Sequence, residues 1–397
     1  MQWFEEKNGI IVCVQKDAKK AKGRFLATHP AMLLQPEGVH WLNTNLLEIQ
    51  NNILPEKIQK AFEKKQSITC INTAYATIDK WKQRALESYQ NFEKKKKVHL
   101  LALGDVGSTV LIGLKLLGKD YIYEIGIYDI NESVCKRWES ELNQTAFPWD
   151  YDILPEVKIV TEENLFDCDV FTFCASKGIP PVNTDVKDVR MVQFQTNKSI
   201  IEIFAKKARQ KHFSGLFAVV SDPVDPLCKA AFLASNQNDD NQFDAKGLLP
   251  EQIQGYGLGV MNARAAYFAK KEKKFSSFLT EGRAYGPHGQ DLVIANSITN
   301  YNDTISKELT KLTVEANLTT RKLGFKPYIA PALSSAAISI LLTLEGKWHY
   351  SSNFLGGVYM GCKNRTTKAG LEIESLPLNE ELYCRIKRAF QNLEEIQ

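Results

Sequence analysis

The chain has 397 residues, of which 44% are hydrophobic and 24% charged, the composition of a globular protein of two domains or two domains with a small appendage. The formal net charge is only +4 and no apolar run reaches the roughly 18 residues of a membrane span, so we expect neither a nucleic-acid nor a membrane partner. The first residues, MQWFEEKNGI, lack the basic start and apolar stretch of a secretory signal.

The cysteines point to a reducing compartment. None of the eight forms a CxxC pair, and several lie within apolar runs, as in DVFTFCA. This spacing argues against zinc and predicts no metal site, and buried free thiols are typical of a cytoplasmic protein.

Residues 1–95 carry no chemical motif, and we interpret them as an N-terminal extension that serves packing or oligomerisation. Two apolar runs, IIVCVQ and AMLLQ, predict strands. Three amphipathic stretches predict helices: TNLLEIQNNI, PEKIQKAFEKK and IDKWKQRALESYQNF.

Residues 96–253 alternate between short apolar strands and helical patterns. VHLLALG, YIYEIGIYDI, VKIV, DVFTFCA and GLFAVVSD predict strands, STVLIGLKLLG predicts a helix, and residues 190–208 predict one long helix. Such alternation predicts an α/β fold in which helices cover both faces of a parallel sheet.

Residues 254–397 differ in character. The helical stretches VMNARAAYFAKK, PALSSAAISILLTLEG and NEELYCRIKRAFQNLEEI are separated by polar and strand-like segments. We therefore expect an α+β second domain after the parallel sheet.

A glycine turn follows the first strand of the parallel region. Gly104 and Gly107 occupy two positions of a GxGxxG pattern whose first position is Ala102, and Asp129 ends the next strand. A glycine turn lets the backbone approach a pyrophosphate at a helix N-terminus, and an acid at the next strand end can bind a ribose and favours NAD over NADP. Asp129 is equally suited to cap the following helix.

Four further segments, together with the glycine turn, resemble the lactate/malate dehydrogenase family. They are RMVQFQTN at residues 190–197, VVSDPVD at 219–225, GYGLGVMNAR at 255–264 and GPHGQD at 286–291. The similarity extends over about residues 98 to 395. It implies a Rossmann-type domain followed by a substrate domain, NAD as cofactor, and a dehydrogenase of small 2-hydroxy or 2-keto acids.

The resemblance also implies roles for individual residues. His288 matches the histidine that transfers the proton, since imidazole titrates near neutral pH. Arg264 matches the arginine that binds the substrate carboxylate, and Arg190 matches an arginine of the mobile loop that polarises the carbonyl. Asn197 is implied as a further substrate-binding residue. The implied cofactor-binding residues are Gly104, Asp105, Val106, Gly107, Asp129, Ala175, Ser221 and Asp222.

The family pattern is broken at three places. The aspartate that pairs with the histidine is replaced by Met261, and the asparagine of VSNPVD is replaced by Asp222. Asp222 could pair with His288 and act in catalysis, or favour a cationic amine or iminium substrate. Third, the loop at residues 176–190 is long, and Pro327 stands where the family often has a small or hydroxylated residue. Lys177, Asn183 or Lys187 could face a substrate side group.

Two functional classes therefore remain open. The first is an NAD-dependent oxidoreductase acting on a small 2-hydroxy or 2-amino acid. The second is a homologue that binds NAD(H) without turnover and acts as a sensor or assembly subunit. The resemblance also implies a homo-oligomer, either a dimer or a tetramer.

Overall fold

A computed structural model describes residues 3–7, 10–15, 24–33, 38–48, 54–72, 94–177 and 189–396. For residues 3–7, 10–15, 72 and 189–192 it describes the backbone alone. The strands are β1 Trp3–Lys7, β2 Ile10–Gln15, β3 Arg24–Leu26, β4 Ile68–Asn72, β5 Lys96–Leu101, β6 Ile122–Tyr128, β7 Glu156–Ile159, β8 Val170–Phe173, β9 Leu216–Val219, β10 Ile253–Gly255, β11 Arg283–Tyr285, β12 Val293–Ala295, β13 His349–Phe354, β14 Tyr359–Thr367 and β15 Gly370–Ile373. The α-helices are α1 Glu56–Glu63, α2 Asp105–Leu117, α3 Glu132–Asn143, α4 Val189–Gln210, α5 Val224–Ser235, α6 Leu258–Lys271, α7 Phe278–Glu281, α8 Asp303–Lys322, α9 Ile338–Leu344 and α10 Glu380–Glu395.

A six-stranded parallel sheet forms one half of the molecule. Its spatial order is β7-β6-β5-β8-β9-β10, and each neighbouring pair is parallel. Numbered within this half, the order is 3-2-1-4-5-6, that of a doubly wound dinucleotide-binding fold. Every side chain of β8 and β9 is buried, as expected for strands covered by helices on both faces. The predicted α/β class is thus confirmed.

The strand order reverses between β5 and β8. The glycine turn follows β5, while Ala175 and Ser221 follow β8 and β9 at the same edge of the sheet. In open α/β sheets, ligands bind in the crevice outside the carboxyl ends of the strands at such a switch point. The topology therefore brings the predicted cofactor residues to one edge.

The second half is antiparallel. Strand β10 pairs antiparallel with β13, which continues through β14 to β15, and β11 with β12 forms a separate ribbon. Helices α6 and α8 enclose an apolar cluster with β12 between them. The strands and helices predicted beyond residue 254 are present.

The N-terminal segment extends the same sheet. Strand β3 pairs in parallel with β15 and antiparallel with β4, so that thirteen of the described strands form one sheet. Phe25 and Trp41 of this segment lie in one buried cluster with Leu382 and Phe390 of α10. The segment therefore shares its core with the C-terminal half.

Two local predictions for the N-terminal segment were wrong. The AMLLQ run, predicted as a strand, begins with a 3-10 helix at Pro30–Leu33, whose N-terminal turn is fixed by the Ala31 N–H donating to His29 Nδ1 at 3.2 Å. The start of TNLLEIQNNI, predicted as an α-helix, forms only the 3-10 turn Thr44–Leu46.

The physical reason for the second error is a tertiary contact. Asn43 Oδ1 accepts hydrogen bonds from the backbone N–H groups of Asn45 and Leu378, and Thr44 N–H donates to the Leu376 carbonyl. The distant C-terminal segment thus fixes this backbone outside the helical conformation. IIVCVQ as a strand and PEKIQKAFEKK as a helix are confirmed, whereas IDKWKQRALESYQNF lies outside the described residues.

The stretch PALSSAAISILLTLEG is helical as predicted, but its first turn is a π-helix at Leu333–Ala337 that leads into α9. This turn packs on α2, where Gly113 leaves space for Leu333 and Ala337. Among the described helices, none is long and apolar enough to cross a membrane.

Candidate active site

The turn between β5 and α2 has the backbone geometry of a phosphate cradle. Gly104 precedes α2, and a Cβ at this position would have no atom within 4 Å. At Gly107 a Cβ would overlap the carbonyl oxygen of Ala102, so only glycine allows this close approach. The first helical hydrogen bond runs from Ser108 N–H to the Gly104 carbonyl, and the N–H groups of residues 105–107 therefore point out of the helix end.

Ala102 adopts a left-handed conformation with φ of 73°. Glycine is the usual residue for this conformation, because a Cβ clashes with the following carbonyl. The first position of the GxGxxG pattern thus has a backbone conformation that suits glycine, although the residue there is alanine.

Asp129 lies beside this turn. Its carboxylate accepts hydrogen bonds from the N–H of Leu103 at 2.8 Å and from the N–H of Asn131 at 2.9 Å. Asn131 is itself the N-cap of α3. Asp129 therefore fixes the turns at two strand ends, and its contact with a ribose stays a prediction.

Asp105, in the first turn of α2, pairs with Lys326 at 2.5 Å. Lys326 comes from the segment after α8, and Pro327 beside it is buried. This exposed ion pair brings the segment containing Pro327 next to the glycine turn, and the turn residue Val106 is partly buried in the adjoining apolar cluster.

Side-chain hydrogen bonds connect the segments that follow β8 and β9. Ser221 Oγ donates to the Ala175 carbonyl at 2.7 Å. Asn197 of α4 is fully buried, and its Nδ2 donates to the Asp222 carbonyl at 2.7 Å while its Oδ1 accepts from the Lys177 N–H at 3.0 Å. The described contacts of Asn197 thus position the backbone, and its contact with a substrate stays a prediction.

His288 lies next to Asp222, as the sequence suggested. The distance from Nδ1 to Asp222 Oδ1 is 3.0 Å. The side chain of Asp222 is 48% exposed and that of His288 is 21% exposed, so that the carboxylate is the outer member of the pair. Asp222 follows β9, whereas His288 lies in the loop after β11.

Two glycines of the GYGLG segment allow the loop that contains His288 to come close to Asp222. A Cβ at Gly257 would lie 2.9 Å from the Cβ of His288, and one at Gly255 would lie 2.9 Å from the Cβ of Ser352. Both contacts are tighter than ordinary packing allows. The glycines thus let the histidine loop and β13 approach the start of α5.

A second carboxylate, which sequence reasoning did not single out, lies beneath His288. Asp225 is buried, accepts from Ser352 Oγ at 2.7 Å and accepts from the backbone N–H of His288 at 3.4 Å. Burial raises its pKa to about 6, against the lowering effect of the Ser352 hydrogen bond. The spacing of the two aspartates in SDPVD, three residues apart at a helix start, was the available signal.

Met261 and Arg264 lie together on α6. Met261 is buried, and its Sδ is 3.8 Å from Arg264 Nη1. Arg264 forms no ion pair with any acid among the described residues, and burial lowers its pKa while the negative charge of Asp222 opposes this. A partly buried guanidinium of this kind is suited to an anionic ligand.

Arg190 lies in the first turn of α4, but its side chain is outside the described part of the chain. Its contact with a substrate therefore stays a prediction. The same holds for Asn183 and Lys187, whereas Lys177 is exposed at the end of the segment after β8.

Known proteins similar to this chain are lactate and malate dehydrogenases. No family model matches the chain. An L-lactate dehydrogenase of Treponema denticola is 30% identical over 211 residues, which cover 52% of this chain and 59% of the relative. The chain thus spans less than two thirds of that relative. An L-lactate dehydrogenase of Halalkalibacterium halodurans is 25% identical over 331 residues, covering 75% of this chain and 98% of the relative.

Solved structures show the same fold. The minor L-lactate dehydrogenase of Enterococcus mundtii aligns with a TM-score of 0.61 at 18% identity, covering 76% of this chain and 97% of that protein. The malate dehydrogenase of Archaeoglobus fulgidus, solved in complex with NADH, aligns with a TM-score of 0.59 at 18% identity, covering 76% and 98%. Over about three quarters of its length the chain is thus similar to L-lactate dehydrogenases in sequence and to lactate and malate dehydrogenases in fold.

Proposed function

We propose that the protein is an NAD(H)-dependent dehydrogenase that interconverts a small 2-hydroxy acid and its 2-keto acid, with His288 transferring the proton. The observation that carries this proposal is the pairing of His288 with Asp222 at 3.0 Å, near the partly buried cation Arg264. A proton carrier and a carboxylate-binding cation are the two groups that this chemistry needs from the protein.

The residues at the switch point fit NAD(H). The open space at Gly104, the close approach at Gly107 and the free helix N–H groups of Asp105 and Val106 suit a pyrophosphate. Asp129 suits the adenosine ribose and repels a 2′-phosphate. Ala175, Ser221 and Asp222 then border the nicotinamide end, where the cofactor supplies or accepts the hydride.

Asp222 replaces the partner that His288 lacks at Met261. A carboxylate hydrogen-bonded to one imidazole nitrogen fixes the tautomer and stabilises the charged ring. Loss of such a partner costs roughly ten-thousandfold in comparable triads. In this proposal Arg264 binds the substrate carboxylate, Arg190 approaches from the start of α4, and Asn197 holds the Asp222 backbone in place.

The test is NADH oxidation with a panel of 2-keto acids, followed by absorbance. We expect turnover by the wild type, its loss in His288→Ala, and a fall of roughly a hundredfold or more in Asp222→Ala. Replacement of the exposed His212, whose φ of 50° asparagine tolerates, gives a matched control: His212→Asn should keep full activity. Unchanged turnover in His288→Ala would overturn the proposal.

A second candidate is an NAD(H)-binding protein without turnover, acting as a sensor or assembly subunit. Met261 favours it, because a buried thioether cannot replace the carboxylate at that position. NADH binding without oxidation on any substrate would support this candidate, whereas failure to bind NADH would exclude both.

We also propose that the protein works in the cytoplasm as a homo-oligomer, a dimer or a tetramer. The seven described cysteines form no disulfide bonds with one another, which is consistent with a reducing compartment. Light scattering of the purified protein and fractionation of cells test the two parts. A monomer, or a protein found outside the cytoplasm, would contradict them.

A further inference from the structure

The site contains two side chains of opposite charge. Asp222 carries a carboxylate that is the more exposed member of the pair with His288. Arg264 carries a guanidinium within the electrostatic influence of Asp222. A small ligand that enters beside His288 therefore meets one anion and one cation.

A 2-keto acid is complementary to only one of these two charges. Its carboxylate suits Arg264, but its carbonyl oxygen becomes negative as hydride arrives at C2. Repulsion between Asp222 and that oxygen opposes the reaction, because stabilisation of the developing charge is a main source of catalysis. A 2-iminio acid, with a positive nitrogen in place of the oxygen, matches both charges.

We propose that the preferred substrates are 2-amino acids and their 2-iminio counterparts, with the carboxylate at Arg264 and the nitrogen at Asp222. The inference rests on the proposed NAD(H)-dependent dehydrogenase activity and replaces the 2-hydroxy acid by a 2-amino acid as the preferred substrate of the same site. Asp222 then has two tasks, since one carboxylate pairs with His288 and with the substrate nitrogen.

The reaction balances without a further oxidant. In the reductive direction, hydride from NADH forms the C–H bond at the iminium carbon, and the π electrons of the C=N bond move to nitrogen. The resulting amine takes one proton from His288 and becomes an ammonium. The iminium itself arises from a 2-keto acid and ammonium or a primary amine with loss of water.

The first experiment compares NADH oxidation by pyruvate with and without ammonium or methylamine. We expect at least a tenfold higher kcat/KM when the amine is present. In Asp222→Asn the ratio of kcat/KM with the amine to kcat/KM without it should fall at least tenfold, although both values should be lower than in the wild type because His288 loses its carboxylate partner. Asp291→Asn is a matched control, because Asp291 is an exposed carboxylate of the same loop as His288 and its φ of 66° tolerates asparagine.

The second experiment measures binding without turnover. Calorimetric titration of the complex with NADH compares alanine with lactate, which differ only in the ammonium and the hydroxyl. We expect alanine to bind at least tenfold more tightly to the wild type and the preference to reverse in Asp222→Asn.

The two proposals fail in different ways. Ketone reduction that is independent of amine, with equal binding of alanine and lactate, overturns the substrate class but leaves the dehydrogenase proposal intact. NADH binding without turnover overturns the dehydrogenase proposal, and the titration then decides whether the site still selects a zwitterion. Loss of the alanine preference in Asp291→Asn as well as in Asp222→Asn would also overturn the assignment to Asp222.

Discussion

Ala102 and Asp225 are two residues whose positions cost free energy. The first holds a left-handed backbone at the turn before α2, and the second buries an ionisable carboxyl below His288. Both border the proposed active site. Strained backbone and buried charge concentrate at functional sites, because the surrounding structure maintains them there.

Replacement of Ala102 by glycine should stabilise the protein. Glycine adopts a φ of 73° without the Cβ clash, which costs roughly 1 kcal/mol. We expect the free energy of unfolding in urea to increase by about that amount. Ala266→Gly, in the interior of α6, is the control and should instead lower it by about 1 kcal/mol. Equal losses in both variants would contradict the assignment of strain to Ala102.

Asp225 should make stability depend on pH. Its pKa in the folded protein is raised from 3.8 to about 6 by burial, so the folded state holds the proton more tightly than the unfolded state. The contribution of this tighter proton binding to the free energy of unfolding is complete below pH 4. It is lost as the pH rises through 6, and the total loss is roughly 3 kcal/mol.

The variant Asp225→Asn removes this titration. Relative to the variant, the wild type should therefore lose stability between pH 4 and pH 7, as measured by urea unfolding at each pH. A difference that stays constant across that range would show that Asp225 does not titrate there.

The sequence allowed some of these residue contacts to be predicted. The proximity of Asp222 to His288 followed from two substitutions in a known pattern, Met261 and Asp222 itself. Asp225 was missed because its partner Ser352 lies 127 residues away on a strand without a motif. Only the fold brings β13 to the start of α5.

At the scale of elements, the N-terminal segment is bound to the rest of the chain by its core. Trp41 is fully buried and its ring lies 4.2 Å from that of Phe25, and both pack in the cluster that includes α10. Gly38 approaches the Leu355 backbone so closely that a Cβ would overlap it. We propose the division into residues 1–95, 96–253 and 254–397 from the sequence pattern. In the structure, buried residues of the first and third regions pack in one hydrophobic core.

Truncation of the Trp41 ring should therefore destabilise the protein. We expect Trp41→Ala to lower the free energy of unfolding by about 3–5 kcal/mol, since it leaves a large cavity in a shared core. Trp149→Ala is the control, because that ring is 90% exposed and its loss should change stability by less than about 0.5 kcal/mol. A similar small effect for both would show that the N-terminal segment does not contribute to the stability of the fold.

Elements could be predicted where the local pattern was strong. The parallel strands are continuous apolar runs and the long helices have clear periodicity, so both were predicted correctly. The segments at Pro30–Leu33 and Thr44–Leu46 were not, because contacts with residues 376–378 and a local side-chain acceptor override the weak local preference. Short segments without strong periodicity take their conformation from the tertiary structure.

At the scale of the molecule, thirteen of the described strands form one sheet that runs from the N-terminal segment to β7. The sequence predicted the parallel part, where strands and helices alternate. It did not predict that β3 joins β15, since this pairing depends on registers between residues far apart in the chain. The three predicted regions therefore contribute strands to one continuous sheet, although their sequence patterns differ.

Among the described strands, one residue pair, Gly255 and Ser352, joins the parallel and antiparallel parts of this sheet. Ser352 also donates to Asp225, which in turn accepts the His288 backbone N–H. The two parts of the sheet therefore meet at this residue pair, and the backbone of His288, the proposed proton carrier, is held next to that pair through Asp225. A small rotation of one part of the sheet against the other would move the histidine loop relative to Asp222 and so change the distance on which the proposed proton transfer depends.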